Sequence, residues 1–251
     1  MELNKMEKIC RHESLERIPE TRFEKCNVCG VWKGDREDPH AYIKEYYTSE
    51  ALQIFKHNII RRSWYFDIHK TILDNLGVPF LNYKRYLEIG CGAGRLLWTL
   101  HRNYGKECVG VESSDWAWTW MKETLGFSKD FTIYRANFEL IDKKILGKFD
   151  FIYACHVLEH FEDAMKALEQ CYEMLNDDGW LYFVVPDKEH QMGLHTHSWA
   201  FDRDSLRIWF TQLGLKDIKI GITKPYNGEV GPEEFAGYYL HAVGRKPNGK
   251  Q

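Results

Sequence analysis

Residues 86–97 read "YLEIGCGAGRLL": a short apolar run from Tyr86 to Ile89, three glycines at alternate positions, then Arg95, Leu96 and Leu97 opening an apolar stripe at helical spacing. The run predicts a buried strand and the stripe a helix, so Gly90, Gly92 and Gly94 sit where the chain passes from one to the other. Glycine at such a crossing lets the backbone turn sharply and come close to a ligand at the helix N-terminus, where unpaired N–H groups point outward. The spacing is G-x-G-x-G, not the G-x-G-x-x-G of the dinucleotide fingerprint, and an acid, Glu88, stands two residues before the first glycine.

Outward from this turn, strand-like and helix-like segments alternate. Strands are expected at Tyr86–Ile89, Glu107–Val111, Phe131–Arg135, Phe149–Tyr153, Trp180–Val185, Leu215–Gly221 and Tyr238–Gly244, with helices between the first six. Such alternation predicts an α/β fold with a parallel sheet covered on both faces. Upstream, Ile43, Tyr46, Tyr47, Leu52, Phe55, Ile59, Trp64, Ile68, Ile72 and Leu76 recur at helical spacing until Gly77 and Pro79 close the pattern. The chain thus divides into residues 1–40, a helical extension or lid at 41–79, and a main domain at 80–247.

A chain of 251 residues can bury a substantial core, and a net charge of -3 argues against a protein that works by coating phosphate backbones. No apolar run reaches membrane-spanning length and the first residues are polar, so the expected address is the cytoplasm, with no membrane partner. The seven cysteines then read as reduced thiols or metal ligands. Residues 1–38 are charged and poor in aliphatics, too little for an independent core without a staple. Cys26-x-x-Cys29-Gly30 has the spacing at which two thiolates reach one tetrahedral metal, and Cys10-x-His12 supplies a second pair, so Cys10, His12, Cys26 and Cys29 are expected to hold a structural zinc, with His40 as a fallback ligand.

The strand "CVGVES" ends in Glu112, where a carboxylate can accept hydrogen bonds from ribose hydroxyls across the crevice. Together, Glu88-x-Gly90-x-Gly92-x-Gly94 and Glu112 resemble the class I S-adenosylmethionine-dependent methyltransferases, small-molecule type. "RANFE" follows at the adenine-side position, "FDFIYACHVLEH" resembles the family's fourth-strand motif, and "MLNDDGWLYFVVP" its fifth-strand segment. The resemblance runs from Tyr86 to Pro186 and more weakly to Arg245. It implies a Rossmann-like seven-stranded sheet, mostly parallel with the last strand antiparallel, and S-adenosylmethionine bound by Glu88, Gly90, Cys91, Gly92, Gly94, Glu112, Ser113, Asn137, Phe138 and Cys155. Asn137 would contact the adenine amine and Phe138 would pack on its ring. The segment ahead of it is similar to a zinc ribbon.

"HVLEH", His156 to His160, also spells the H-x-x-E-H pattern of one class of zinc peptidase. That site needs both histidines on one uninterrupted helix, whereas here a strand precedes them and a helix begins only near Glu162. The segment is therefore a strand-to-helix crossing beside the methyl donor. His156, just past the carboxyl end of its strand, and His197, after the fifth strand, are the candidate general bases, with Asp187, His190 and His195 nearby in sequence. The structural alternative for Glu159 and His160 is that they cap or orient the following helix, and the histidines do not identify a catalytic metal site. In "DWAWTWMKE", Trp116 and Trp120 are expected as a buried pair and Trp118 as a partly exposed ring.

The expected activity is methyl transfer to an oxygen or nitrogen of a small molecule. Aminopropyl transfer would bring an acidic pair to the crossing, and exocyclic DNA-amine methylation an Asn/Asp-Pro-Pro-Tyr segment; neither is present. An RNA or protein acceptor docked through the N-terminal metal module stays open, although the basic residues there are nearly cancelled by glutamates. So does a non-catalytic donor-binding protein of the same fold.

Overall fold

The computed structural model describes residues 10–19, 21–34, 64–190, 197–223 and 238–249. The helical pattern from Ala41 to Arg62, His40, His195 and the side chain of His190 lie outside the described residues. Strands β1 (Leu15–Arg17), β2 (Phe23–Cys26) and β3 (Trp32–Gly34) come first, followed by helix α1 (Trp64–Asn75). The main domain continues with β4 (Arg85–Ile89), α2 (Arg95–Tyr104), β5 (Glu107–Glu112), α3 (Asp115–Thr124) and β6 (Phe131–Arg135). Then come α4 (Lys143–Leu146), β7 (Phe149–Cys155), α5 (Ala164–Met174), β8 (Leu175–Pro186), β9 (Trp199–Ala200), α6 (Arg203–Gln212), β10 (Lys216–Thr223) and β11 (Tyr239–Arg245).

The larger sheet has the order β10-β11-β8-β7-β4-β5-β6. Every pairing from β8 to β6 is parallel, and β11 runs antiparallel to both β8 and β10. This is the expected Rossmann-like sheet. The order reverses at β4, which pairs β5 on one side and β7 on the other, so a crevice opens beyond the carboxyl ends of β4, β5 and β7. The strands match expectation closely except β8, which begins at Leu175 instead of Trp180. Leu175 pairs with Phe149 and Trp180 with Phe151, and the register shifts between them: Asp178 takes a φ of 61°, and Asp178 N–H and Gly179 C=O bond to Lys246, so residues 176–179 form a turn-like bulge inside the strand.

Period-two alternation divides the core. Leu87 and Ile89 of β4, Ile152 and Ala154 of β7, and Leu181, Phe183 and Val185 of β8 pack toward α5 and α6. Tyr86, Phe151, Tyr153, Trp180, Tyr182 and Val184 pack on the opposite face, with Phe66 and Leu73 of α1 and Leu96, Leu97 and Leu100 of α2. Trp118 of α3 is half-buried, as expected, but Trp116 and Trp120 are half-buried too and not the buried pair expected. Ala117 and Met121 are the buried residues of that helix, and Trp118 donates its indole N–H to the Ile133 carbonyl at 2.7 Å, so it is Trp118 that seals the helix to β6.

The N-terminal strands form a second sheet, β1-β2-β3-β9, whose last strand comes from the main domain: Trp32 and Lys33 pair with Ala200 and Trp199. Gly34 N–H donates to the Ser198 carbonyl at 2.8 Å. Cys10, Cys26, Cys29 and Val31 belong to the same buried cluster as Trp199 and Trp209. This segment therefore borrows the core it is too small to build alone.

Candidate functional site

Gly90, Gly92 and Gly94 have φ of 64°, 53° and 67°, the left-handed conformation that glycine adopts without strain. A Cβ on Gly90 would lie 2.4 Å from Val157 Cγ2, so this glycine lets the β7 crossing close onto the loop; a Cβ on Gly92 would meet nothing within 4 Å. The open face of the loop is thus over Gly92. Glu112 closes one side, accepting from Gly92 N–H at Oε2 and from Ser114 N–H at Oε1, each at 2.7 Å. Glu88 is buried, 4% exposed, with Oε2 unpartnered, and burial pushes its carboxyl well above the usual carboxylate range. Those two carboxylates and the glycine loop lie together at the strand ends.

The other expected donor contacts are less uniform. Cys91 is buried, Ser113 exposed beside Glu112, and Cys155 half-buried at the end of β7. Asn137 Oδ1 accepts from Glu139 N–H at 2.8 Å, closing its own turn. Phe138 corrects the sequence reading: it is 3% exposed, packed on Phe161 with the Lys143 ammonium over its face, and so it is a core ring and not an open stacking surface.

The crossing brings both candidate bases to one carboxylate. His156 has φ of 55°, a left-handed conformation uncommon for a residue with a side chain and often retained at functional sites. Its Nδ1 lies 3.4 Å from Glu159 Oε1. Glu159, His160 and His197 have ligand-type atoms within 4.8 Å of one another, and the rings of His160 and His197 meet edge to face at 4.7 Å. Burial alone would raise the Glu159 carboxyl, but the three imidazoles hold it below its ordinary value. Burial pushes His197 down to about 3. Asp163 caps α5, accepting from Lys166 N–H, so of the two structural alternatives for Glu159 capping is the one the structure takes away.

Sequence reasoning missed a polar chain beneath this cleft. Tyr65 Oη lies 2.8 Å from Tyr153 Oη, which lies 3.0 Å from His69 Nε2. His69 Nδ1 and His241 Nδ1 each lie 2.9 Å from Tyr182 Oη, and His241 Nε2 lies 2.8 Å from Thr223 Oγ1. The sign was present in the alternation: Tyr153, Tyr182 and His241 fall on one face of β7, β8 and β11, and Tyr65 and His69 lie four apart on α1.

At the N-terminal sheet, Cys10 Sγ lies 3.4 Å from Cys26 Sγ, and His12 Nδ1 lies 3.7 and 3.6 Å from the sulfurs of Cys10 and Cys29. Zinc bonds of about 2.3 Å to sulfur and 2.0 Å to nitrogen give tetrahedral edges of roughly 3.5–3.8 Å, so the four donors fit one ion. Gly30, with φ of 76°, returns its N–H to the Cys26 carbonyl at 2.9 Å and completes the knuckle. Burial pushes His12 down to about 4, which keeps it in the neutral form that ligates.

A family model described as methyltransferase domain matches residues 60–220. The chain belongs to that family. Curated relatives of this methyltransferase-domain chain include a tRNA U34 carboxymethyltransferase from Pseudoalteromonas translucida, 24% identical over 151 residues that cover 56% of this chain and 47% of the relative. One from Pseudoalteromonas atlantica is 22% identical over 201 residues, covering 71% and 62%. The chain thus spans about half to three-fifths of the length of these relatives. Among solved structures it resembles the N-methyltransferase NodS from Bradyrhizobium japonicum in complex with S-adenosyl-L-homocysteine, with a TM-score of 0.60, 17% identity, and coverage of 84% of this chain and 100% of that one. That likeness carries the fold, the class I methyltransferase sheet. The H-x-x-E-H segment accordingly belongs to a methyltransferase crossing, not a peptidase helix. No helix among the described residues is long and apolar enough to cross a membrane.

Proposed function

We propose that this chain binds S-adenosylmethionine over Gly92 and transfers its methyl group to an oxygen or nitrogen of a small acceptor. The observation that carries the reading is the pairing of two buried carboxylates with an open glycine loop: Glu112, anchored by the Gly92 and Ser114 amides, and Glu88, with an oxygen left unpartnered. The donor's ribose hydroxyls suit Glu112, and its ammonium group suits the free oxygen of Glu88. Gly90, Cys91 and Gly94 shape the cradle; Ser113, Asn137 and Cys155 line its edges. The donor supplies an activated methyl on a sulfonium, so the chain's own residues mainly align the acceptor and take its proton. His156 and His197 are the residues we assign to the proton, both oriented by Glu159. Cys10, His12, Cys26 and Cys29 hold a structural zinc in this reading, and reduced thiols there agree with work in the cytosol. Residues 1–40 and 41–79 serve as the metal module and a cover over the donor in front of the catalytic domain.

A second reading, supported by the names of the tRNA-modifying relatives, is group transfer to RNA. Calorimetry with S-adenosylhomocysteine tests the donor: saturable binding to the wild type, lost in Glu112→Ala, is expected, and absence of binding to the wild type refutes it. Transfer of labelled methyl into pooled small-molecule extracts, compared with total RNA, separates the two acceptors.

A further inference from the structure

Glu159 is fully enclosed, at 0% exposure, and neither of its oxygens receives a hydrogen bond of normal geometry. A buried carboxylate in that condition is strongly unfavourable unless a cation shares its site. Among the described residues α5 takes its cap from Asp163, the main-chain carbonyl of Glu159 accepts from Ser198 N–H at 2.8 Å, and the side chain is left to the imidazoles around it, His156 Nδ1 being 3.4 Å from Oε1. What faces the carboxylate is imidazole. His160 follows it on the same turn, Leu158–His160, and the Ser198 bond draws the neighbouring His197 in from the loop before β9. The ligand-type atoms of Glu159, His160 and His197 all lie within 4.8 Å of one another, a span that one ion can bridge.

We propose that Glu159, His160 and His197 hold a divalent transition-metal ion, separate from the zinc at Cys10, His12, Cys26 and Cys29. Two imidazoles and one carboxylate form a donor set for manganese, iron, cobalt or zinc; magnesium and calcium prefer oxygen alone. Three protein ligands leave coordination positions for water or for an acceptor oxygen. His156, 3.4 Å from Oε1 of Glu159, stands at the border of this site. Val157, between His156 and the ligands, packs on Gly90 of the donor loop, so the ion would sit at the wall of the proposed cleft. Resting on the methyl-transfer reading, the ion would bind an acceptor hydroxyl and ease loss of its proton; with His197 committed to the ion, His156 alone is left to take that proton. The oxygen's electron pair then forms the new bond to the methyl carbon, and the carbon–sulfur bond breaks with its pair retained by sulfur. The acceptor class is thereby narrowed to a hydroxyl compound.

The test uses the tag-free full chain with its thiolate site filled by zinc. Titration with Mn2+, followed by the loss of the free-ion paramagnetic resonance signal, and with Co2+, followed by calorimetry, is expected to show one saturable site for at least one ion. Glu159→Gln and, independently, the partly exposed His160→Ala should each weaken that binding at least tenfold while circular dichroism and zinc content stay unchanged. Saturable binding of neither ion to the wild type, or equal affinity in both variants, overturns the proposal. Binding of S-adenosylhomocysteine measured on the same samples keeps the two claims apart: failure there sinks the donor reading and leaves the metal site standing.

Discussion

Tyr182→Phe tests the buried polar chain most directly. The tyrosine hydroxyl stands between two imidazoles, 2.9 Å from His69 Nδ1 and 2.9 Å from His241 Nδ1, and His69 and His241 are 1% and 0% exposed. Phenylalanine keeps the ring, its stacking on Tyr153 at 5.1 Å and nearly all the volume, so no cavity larger than the hydroxyl is opened. What is lost is one partner for each of two ring nitrogens that water cannot reach. Leaving a buried polar atom unpaired costs about 1–3 kcal/mol, so two such atoms with partial relaxation should cost about 2–4 kcal/mol. In a domain of this size that is a fall in Tm of about 4–16 °C. Urea unfolding, followed by tryptophan fluorescence with the m-value held as a check on two-state behaviour, reads the loss. A loss below about 1 kcal/mol with unchanged m would mean that the three side chains do not form one hydrogen-bonded unit.

Other outcomes follow from the same geometry. Gly92→Ala should cost only about 1–2 kcal/mol for a side chain in the left-handed region, because its Cβ meets nothing, yet weaken S-adenosylhomocysteine binding at least tenfold by calorimetry, because that Cβ fills the open face of the loop. Cys29→Ser should lose zinc by elemental analysis and raise protease cleavage within residues 10–34, since that sheet shares its core with the thiolates. Burial pushes His241 down to about 3, below its unfolded value. The unfolded chain therefore takes up a proton that the folded chain refuses, and the stability His241 confers is complete above about pH 6.5 and lost as pH falls toward 3. His241→Gln should accordingly flatten the dependence of unfolding free energy on pH between about 6 and 4 by up to one proton, about 1.4 kcal/mol per pH unit; parallel slopes for the two proteins would count against this.

The sheet was legible because its strands are short apolar runs broken by glycine and polar turns, a pattern that buried parallel strands impose. The placement of the glycine loop and of Glu112 was legible for the same reason: main-chain geometry at strand ends fixes it, and sequence spacing encodes that geometry. Glu159 was not, because its surroundings depend on His197, 38 positions away and delivered by a loop. Trp116 and Trp120 were misread as a buried pair because helical spacing tells which residues share a face but not which face meets the sheet; Ala117 and Met121 are the residues α3 buries. The early start of β8 at Leu175 was not legible because Asn176 to Gly179 read as a turn, and they do turn, Asp178 having a φ of 61°; only the bonds to Lys246, just past β11, join Leu175 to the strand.

The edge that β9 lends to the N-terminal sheet makes residues 10–34 impossible to trim without injury. Cutting them away would bare an edge at Trp199 and Ala200 and strip the cover from Trp209, giving two indoles and a row of unpaired amides to solvent. The shortened protein would self-associate, and because His197 lies two positions before that strand, whatever disturbs the edge reaches the crossing within two residues.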